Sequence, residues 1–311
     1  VSPNFFYEVS GGLFFSWAKT RDPYIGSDFW NYGDPDLNEK LGWGNTGAAY
    51  MNIYGYPFTK NGDIDYNYTK NDRKTYNFSL SASYNLGKTH SFKAGINYEQ
   101  LSLRNWSVGT QVNFYSAINN LADSIKNNPA KLEAEKRALL LTNGVNNYGY
   151  DVFGNKLDDD EFFGPKQPVF FAAYIQDKIE YEDLILNLGL RLDYIDTDNK
   201  MFKNAERPQD AFDFNSGELI KECWVDVPSY TALSPRLGFS FPITDRTNFY
   251  AQFGRFVQQT RLVDVYQGYY RTSFELRGGF FIPSPVGKNI RPTRTTSYEI
   301  GFSQQMTDFM S

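Results

Sequence analysis

Residues 76–85 read Tyr-Asn-Phe-Ser-Leu-Ser-Ala-Ser-Tyr-Asn. Tyr76, Phe78, Leu80, Ala82 and Tyr84 are apolar or aromatic, and Asn77, Ser79, Ser81, Ser83 and Asn85 fill the places between them. Side chains of a β-strand point alternately to its two faces, so this stretch makes a strand with one greasy and one wet face. The same alternation returns in 92–99, 184–194, 236–241 and 297–302, and in weaker form near 5–18, 168–181 and 247–256. Eight strands are expected, near 5–18, 74–85, 91–103, 168–181, 184–196, 230–242, 247–256 and 294–306.

The connections alternate between very short and very long. Leu86–His90, Glu182-Asp183 and Pro242–Thr247 are tight and rich in turn-favouring residues. The others, about 21–73, 104–167, 197–229 and 257–293, hold more than half of the chain. Connections in compact domains have a median of roughly 4 to 6 residues. Short turns at one end and large loops at the other are the pattern of a transmembrane β-barrel. Strands of about 10 residues, tilted by about 40°, cover the roughly 25 Å apolar band of such a barrel. Tyr76, Tyr84, Phe92, Tyr194, Tyr230, Phe241 and Phe249 fall near strand ends, as interfacial girdles require. A soluble sandwich also alternates, but with strands of about 5 to 6 residues and loops of similar size at both ends. The fold expected is all-β, a transmembrane antiparallel β-barrel. Its least tidy strand is 168–181, where the phase of Phe171, Ala173 and Ile175 turns Asp177 outward.

Composition bounds the rest. The chain has 311 residues, 31 Lys+Arg against 36 Asp+Glu for a net charge of −5, and 18 % aromatic residues. Its mean hydropathy of −0.53 leaves no apolar run of the roughly 20 residues that a membrane helix needs. Disordered chains are poor in aromatics, and a weakly acidic chain lacks the clustered cations that nucleic acid requires. One cysteine, Cys223, and one histidine, His90, exclude an internal disulfide and the paired ligands of common zinc sites. His90 sits in a predicted short turn, away from the long-loop end. With no second histidine, an outer-surface hydrolase is disfavoured and no enzyme is expected. The first residues, VSPNFFYEVSGG, carry no targeting signal and read as a chain entered in the middle.

At the strand positions the sequence resembles the TonB-dependent outer-membrane transporters. AAYIQDKIEYEDLILNLGLRLDYID (172–196) and LSPRLGFSFPITDRTNFYAQFGRFVQQ (233–259) resemble two hairpins of that family. RPTRTTSYEIGFSQQMTD (291–308) is similar to the strand that follows them, and HSFKAGINYE (90–99) fits as well. Within the family the likeness is to receptors with a carboxypeptidase-regulatory-like domain, the Oar-like type. The resemblance implies a barrel of about 22 strands closed by a plug, in the outer membrane of a Gram-negative bacterium. It implies uptake of a scarce nutrient, driven through the TonB complex. The plug, the TonB-interacting segment and roughly 14 strands would lie outside this sequence. An open eight-stranded sheet would leave edge N–H and C=O groups unpaired in hydrocarbon. No cofactor is implied. A passive porin and a scaffold for a surface lipoprotein are the alternatives.

Candidate residues follow from that frame. Polar positions on the inner face are the candidate plug contacts: Lys93, Glu99, Arg191, Asp193, Arg236 and Glu299, the alternative being a solvated wall. In the long loops, Trp30, Tyr32, Trp43, Tyr266, Tyr269, Tyr270 and Arg271 are candidates for substrate contact, because rings and guanidinium groups stack on ligands. The alternative is that they pack the loops into a cap. Asp158, Asp159, Asp160 and Glu161 form a weak calcium candidate, with hard oxygen ligands but no cation-loop spacing. Residues 117–142 read as helical, with Asn128-Pro129 as cap and first turn, Glu133 meeting Arg137, and Asn143-Gly144 as the stop.

Overall fold

A computed structural model of the protein describes residues 4–40, 51–58, 68–108, 114–277 and 287–306. Eight long strands form one antiparallel sheet in chain order: β1 (Phe5–Thr20), β2 (Tyr68–Leu86), β3 (His90–Val108), β4 (Val169–Tyr181), β5 (Leu184–Asp196), β6 (Tyr230–Thr244), β7 (Thr247–Gln258) and β8 (Thr293–Gln304). Each strand pairs with its sequence neighbour, and a short strand, Asn146–Tyr148, is added to the far end of β3. Among the described residues β1 and β8 do not pair with each other, so the barrel is not closed by this sheet.

The register shows why one face is greasy. Across all eight strands, one row of opposed residues runs Phe5, Tyr84, Phe92, Asp177, Leu188, Leu237, Phe253 and Tyr298. The row on the other face runs Phe6, Ser83, Lys93, Gln176, Gly189, Arg236, Gly254 and Ser297. A slip of one residue in any strand would exchange the two faces there. The outer face carries large exposed side chains, among them Leu13, Ile175, Leu190, Tyr298 and Ile300. Water would not tolerate an apolar surface of that extent, whereas lipid demands it. No helix is long and apolar enough to cross a membrane.

Two glycines shape the inner wall. A Cβ on Gly95 would lie 2.8 Å from the ring of Tyr174, its neighbour across β3 and β4, and one on Gly301 would lie 2.5 Å from the ring of Tyr250. The missing side chains let both rings lie down along the sheet.

Asp177, the one acidic residue in the outer row, has a partner. The His90 ring nitrogen Nδ1 lies 2.8 Å from a carboxylate oxygen of Asp177, and the ring stacks on Phe92 at 5.6 Å. The pair sits at the short-turn end, where the apolar band stops. Replacing His90 by Ala is expected to weaken the barrel by about 1 kcal/mol, because it leaves the carboxylate without its donor. Replacing both residues by Leu should recover that loss. Urea unfolding of the full-length protein in lipid bilayers reads both; equal stability of wild type and H90A would show that the contact contributes nothing.

The strands β2 and β3 depart from expectation, running 19 residues each instead of about 12. At a rise of roughly 3.3 Å per residue they reach about 60 Å, far beyond the apolar band. Above Tyr76 the outward phase of β2 changes to Lys74, Asp72 and Lys70. This extension supports the loop region.

Candidate functional site

The inner wall is polar and largely self-paired. Arg191 and Asp193 share one face of β5, two residues apart, and the Arg191 Nε–H donates to the Asp193 carboxylate at 2.8 Å. Glu299 on β8 accepts from the Tyr250 hydroxyl and from the Gln252 amide, both at 3.1 Å. The Arg236 guanidinium stands 4.8 Å over the ring of Phe256, which holds it by cation–π attraction. Lys93 and Glu99 have no hydrogen-bond or ion-pair partner among the described residues. Two open concavities follow the wall. One of about 460 Å³ is lined by Gln176, Lys178, Asn187, Arg236, Gln252 and Glu299. The other, of about 390 Å³, is lined by Asn77, Asn97, Glu99, Arg191 and Asp193. The six inner-face candidates thus divide into two groups with different reach toward a ligand or plug.

The loops form a canopy with two aromatic cores. The first gathers Phe29 and Tyr32 from the first loop, Tyr68 and Trp106 from the strand extension, Phe114, Leu140, Leu141, Val145, Tyr150 and Val152 from the second loop, and Tyr270 from the fourth. The second gathers Phe162, Ala211, Phe212, Trp224 and Tyr269. Helix α1 (Pro129–Thr142) begins as expected, the Asn128 side chain accepting from the Lys131 N–H at 3.2 Å. Arg137, however, pairs with Glu218 of the third loop at 2.5 Å, not with Glu133. Helix α2 (Tyr269–Arg277) sends Tyr269 into one core and Tyr270 into the other. Tyr270 stacks on Phe163 at 5.0 Å and Tyr269 meets Trp224 edge-on at 4.7 Å.

This arrangement relocates most of the aromatic substrate candidates. Tyr32, Tyr266, Tyr269 and Tyr270 are buried. The Tyr266 hydroxyl donates to the Thr197 carbonyl, tying the fourth loop to the third. Burial pushes the phenol of Tyr266 up, as it does those of Tyr269 and Tyr270. Their rings pack loop against loop, so no ring face is open to a ligand in this structure. Trp30 lies at the edge of the first core, against Phe29 and Phe114, with the Lys136 ammonium 4.8 Å from its ring. Arg271 is held by Glu275 one turn along α2 at 2.9 Å. Trp43 lies outside the described residues.

The acidic run is occupied by protein groups. Asp158 accepts from Arg104, the Asp160 carboxylate caps the N–H groups of Phe162 and Phe163 at 2.8 Å, and Glu161 accepts from Lys200 at 2.7 Å. Lys200 also reaches Asp226 at 2.7 Å. Burial alone would lower its pKa, but Asp226 and Glu161 hold it above the usual lysine range. Asp159 alone of the run has no such contact. Among the described residues no group of three or more His, Cys, Asp or Glu side chains is placed to hold a metal ion. Through Lys200, Glu161 of the second loop is joined to Asp226 of the third.

Lys288 gave no sequence signal. Its ammonium is buried, donates to the Gln267 carbonyl at 3.1 Å, and lies 5.6 and 5.1 Å from the rings of Trp224 and Tyr269. Burial, with Lys166 nearby, pushes its pKa down to about 7. Because the folded value is depressed, the unfolded loops bind the extra proton between about pH 7 and the usual lysine value, roughly 10.4. Canopy stability should fall as pH drops through that window and level off below it. Protease resistance of the loops, measured from neutral to alkaline pH, should show this slope in wild type and lose it in K288M. An equal slope in both proteins would place the titration elsewhere.

Among curated proteins no sequence matches this one. A copper transporter, OprC, is similar in fold at 14 % identity over 99 % of this chain and 35 % of its own, with a TM-score of 0.47. The FrpB iron transporter of Neisseria meningitidis is similar at 17 % identity over 77 % of this chain and 27 % of its own, with a TM-score of 0.38. The hemophore receptor HasR of Serratia marcescens is similar at 14 % identity over 78 % and 31 %, with a TM-score of 0.39. The chain spans about a third of the length of these proteins. The family model described as "TonB dependent receptor-like, beta-barrel" matches residues 12–310, nearly the whole chain, and with its lipid-facing row, polar inner wall and one-sided loops the chain belongs to that family.

Proposed function

We propose that this chain is part of the barrel wall and loop canopy of a receptor in the outer membrane of a Gram-negative bacterium. The receptor captures a scarce nutrient at the long-loop end and imports it actively. The observation that carries this reading is the polar inner face from β2 to β8, where Ser83, Lys93, Gln176, Arg236 and Ser297 share one row, which suits a lumen filled by a polar plug and crossed by a polar cargo. Lys93 and Glu99, free of partners in the wall, are the strongest candidates for contact with the plug. Arg191, Asp193, Arg236 and Glu299 offer further sites once their wall partners are exchanged. Energy would come from the TonB complex through the part of the protein that carries the plug. The wall makes no bonds in its cargo.

The reading is tested in cells carrying the whole gene, by nutrient-limited growth and uptake with and without TonB. Uptake that requires both the receptor and TonB supports active import. Solute flux that needs neither energy nor TonB would replace it with a passive pore. A stoichiometric surface lipoprotein in the purified complex, with no uptake, would replace it with a scaffold.

A further inference from the structure

The stretch 195–199, which ends β5 and turns into the third loop, separates two cavities of opposite character. Asp196 and Asp198 line one of them, together with Asp158, Asp159, Asp160, Glu161 and Asp226. Ile195 and Thr197 line the other, which has a volume of about 310 Å³ and lies where the third and fourth loops meet the ends of the strands. This second cavity has two arginines, Arg291 and Arg294, and no carboxylate among its lining residues. In a chain with more acidic than basic residues, such segregation is informative. The cavity continues toward the lumen, because it shares Phe170, Ile195 and Gln259 with the inner-wall concavity that holds Arg191.

Its two arginines differ. Arg294 donates to the Tyr230 hydroxyl and lies over the Tyr230 ring at 5.1 Å, so its plane is fixed. The Arg291 backbone carbonyl is held by the Thr260 hydroxyl at 3.4 Å, while its guanidinium makes no hydrogen bond or ion pair with any described residue. Facing them are apolar groups from three elements, including Ile195, Val227, Leu262 and Ile290. The Thr197 hydroxyl oxygen at this wall is buried and has no hydrogen-bond partner. The cavity mixes apolar walls with hydroxyl, amide and guanidinium groups; concave sites with a few convergent polar groups are the usual form of a small-molecule pocket, and a free guanidinium fork matches a carboxylate in shape and charge.

We propose that this cavity binds a small organic carboxylate with an apolar body, its carboxylate on Arg291 and its body against Ile195, Val227 and Leu262. Arg294 positions the Tyr230 ring as one wall. The proposal rests on the uptake reading only in taking the carboxylate to be cargo or part of it; the binding stands apart from import.

The test uses the purified full-length receptor in detergent, with phenylbutyrate as probe and its neutral amide as control, read by calorimetry. Saturable binding of the carboxylate is expected, at least tenfold tighter than that of the amide. Arg291→Gln should weaken the carboxylate by about ten- to a hundredfold and leave the amide unchanged. A heat-resistant gel shift of the folded barrel shows that the variant is intact, and Arg291→Lys should restore part of the affinity. Equal affinity for acid and amide, no binding of either, or an unchanged affinity in Arg291→Gln would overturn the proposal. Binding as expected without TonB-dependent uptake would leave the pocket standing and remove the transport reading. Uptake of some nutrient without carboxylate binding would do the reverse.

Discussion

Replacing Leu190 by Arg is expected to destabilise the barrel by about 2–4 kcal/mol in a lipid bilayer, the cost of a cation at mid-depth on the lipid face. Leu190 lies at the centre of β5, points outward with Leu188 and Leu192, is paired with Ile175 and Pro235, and is 42 % exposed. The control is one strand position of opposite phase: Asn187, on the polar wall opposite Lys178 and Gly238. Asn187→Lys should change stability by less than about 1 kcal/mol, since its side chain remains in a hydrated lumen. Urea unfolding of the full-length protein refolded into vesicles measures both. The difference between the two positions is the informative quantity, because a sheet with water on both faces would tolerate Arg at Leu190 as readily as Lys at Asn187. Equal effects would remove the membrane assignment and, with it, the meaning of the outer row.

The alternation that places Leu190 is also what made the strands legible. Lipid on one side and a wet lumen on the other impose a period of two, so 184–196 is marked from end to end and its strand ends with the pattern. Where the imposing solvent stops, so does the signal. Above Tyr76, β2 continues for eight more residues toward Tyr68, but its outward phase carries Lys74, Asp72 and Lys70, and nothing in the sequence distinguishes that run from a loop. The canopy was illegible for another reason. Its contacts join residues far apart in the chain: Arg137 with Glu218, Lys200 with Glu161 and Asp226, Tyr270 with Phe163. The aromatic surplus of the loops showed that rings were needed there. It did not tell which rings would be buried against each other and which left open, since that depends on which loops meet. Arg291 carried no signal as a site residue, being one cation in a segment whose neighbours come from the end of β5, the third loop and the start of the fourth.

Trp106→Ala should loosen the canopy while leaving the membrane band intact. Trp106 is fully buried near the end of β3, and its indole N–H donates to the Val152 carbonyl at 3.0 Å. Phe29 and Tyr68 meet its ring at 5.4 and 5.0 Å, and the Lys70 ammonium lies 5.1 Å from it. One side chain therefore joins the first loop, the second loop and the strand extension. Truncation removes a large apolar contact and opens a cavity, at a cost of about 3–5 kcal/mol, and it also leaves the Val152 carbonyl without its donor. The core shares few contacts with the apolar rows some 30 Å below, at roughly 3.3 Å per residue along β3, so the loss should stay local. Hydrogen exchange should rise in 29–32, 68–70 and 145–152, and protease should cut the loops, while the gel shift of the folded barrel is unchanged. Trp106→Phe, which keeps the ring and loses the N–H, should fall between the two. If exchange rose equally through β2 and β3 down to the short turn, the canopy and the wall would be one cooperative unit, and any ligand that orders the loops would stiffen the barrel as well. If it rose only above Tyr76, the loops can rearrange without disturbing the strands in lipid, which is what the proposed capture and release of cargo would require.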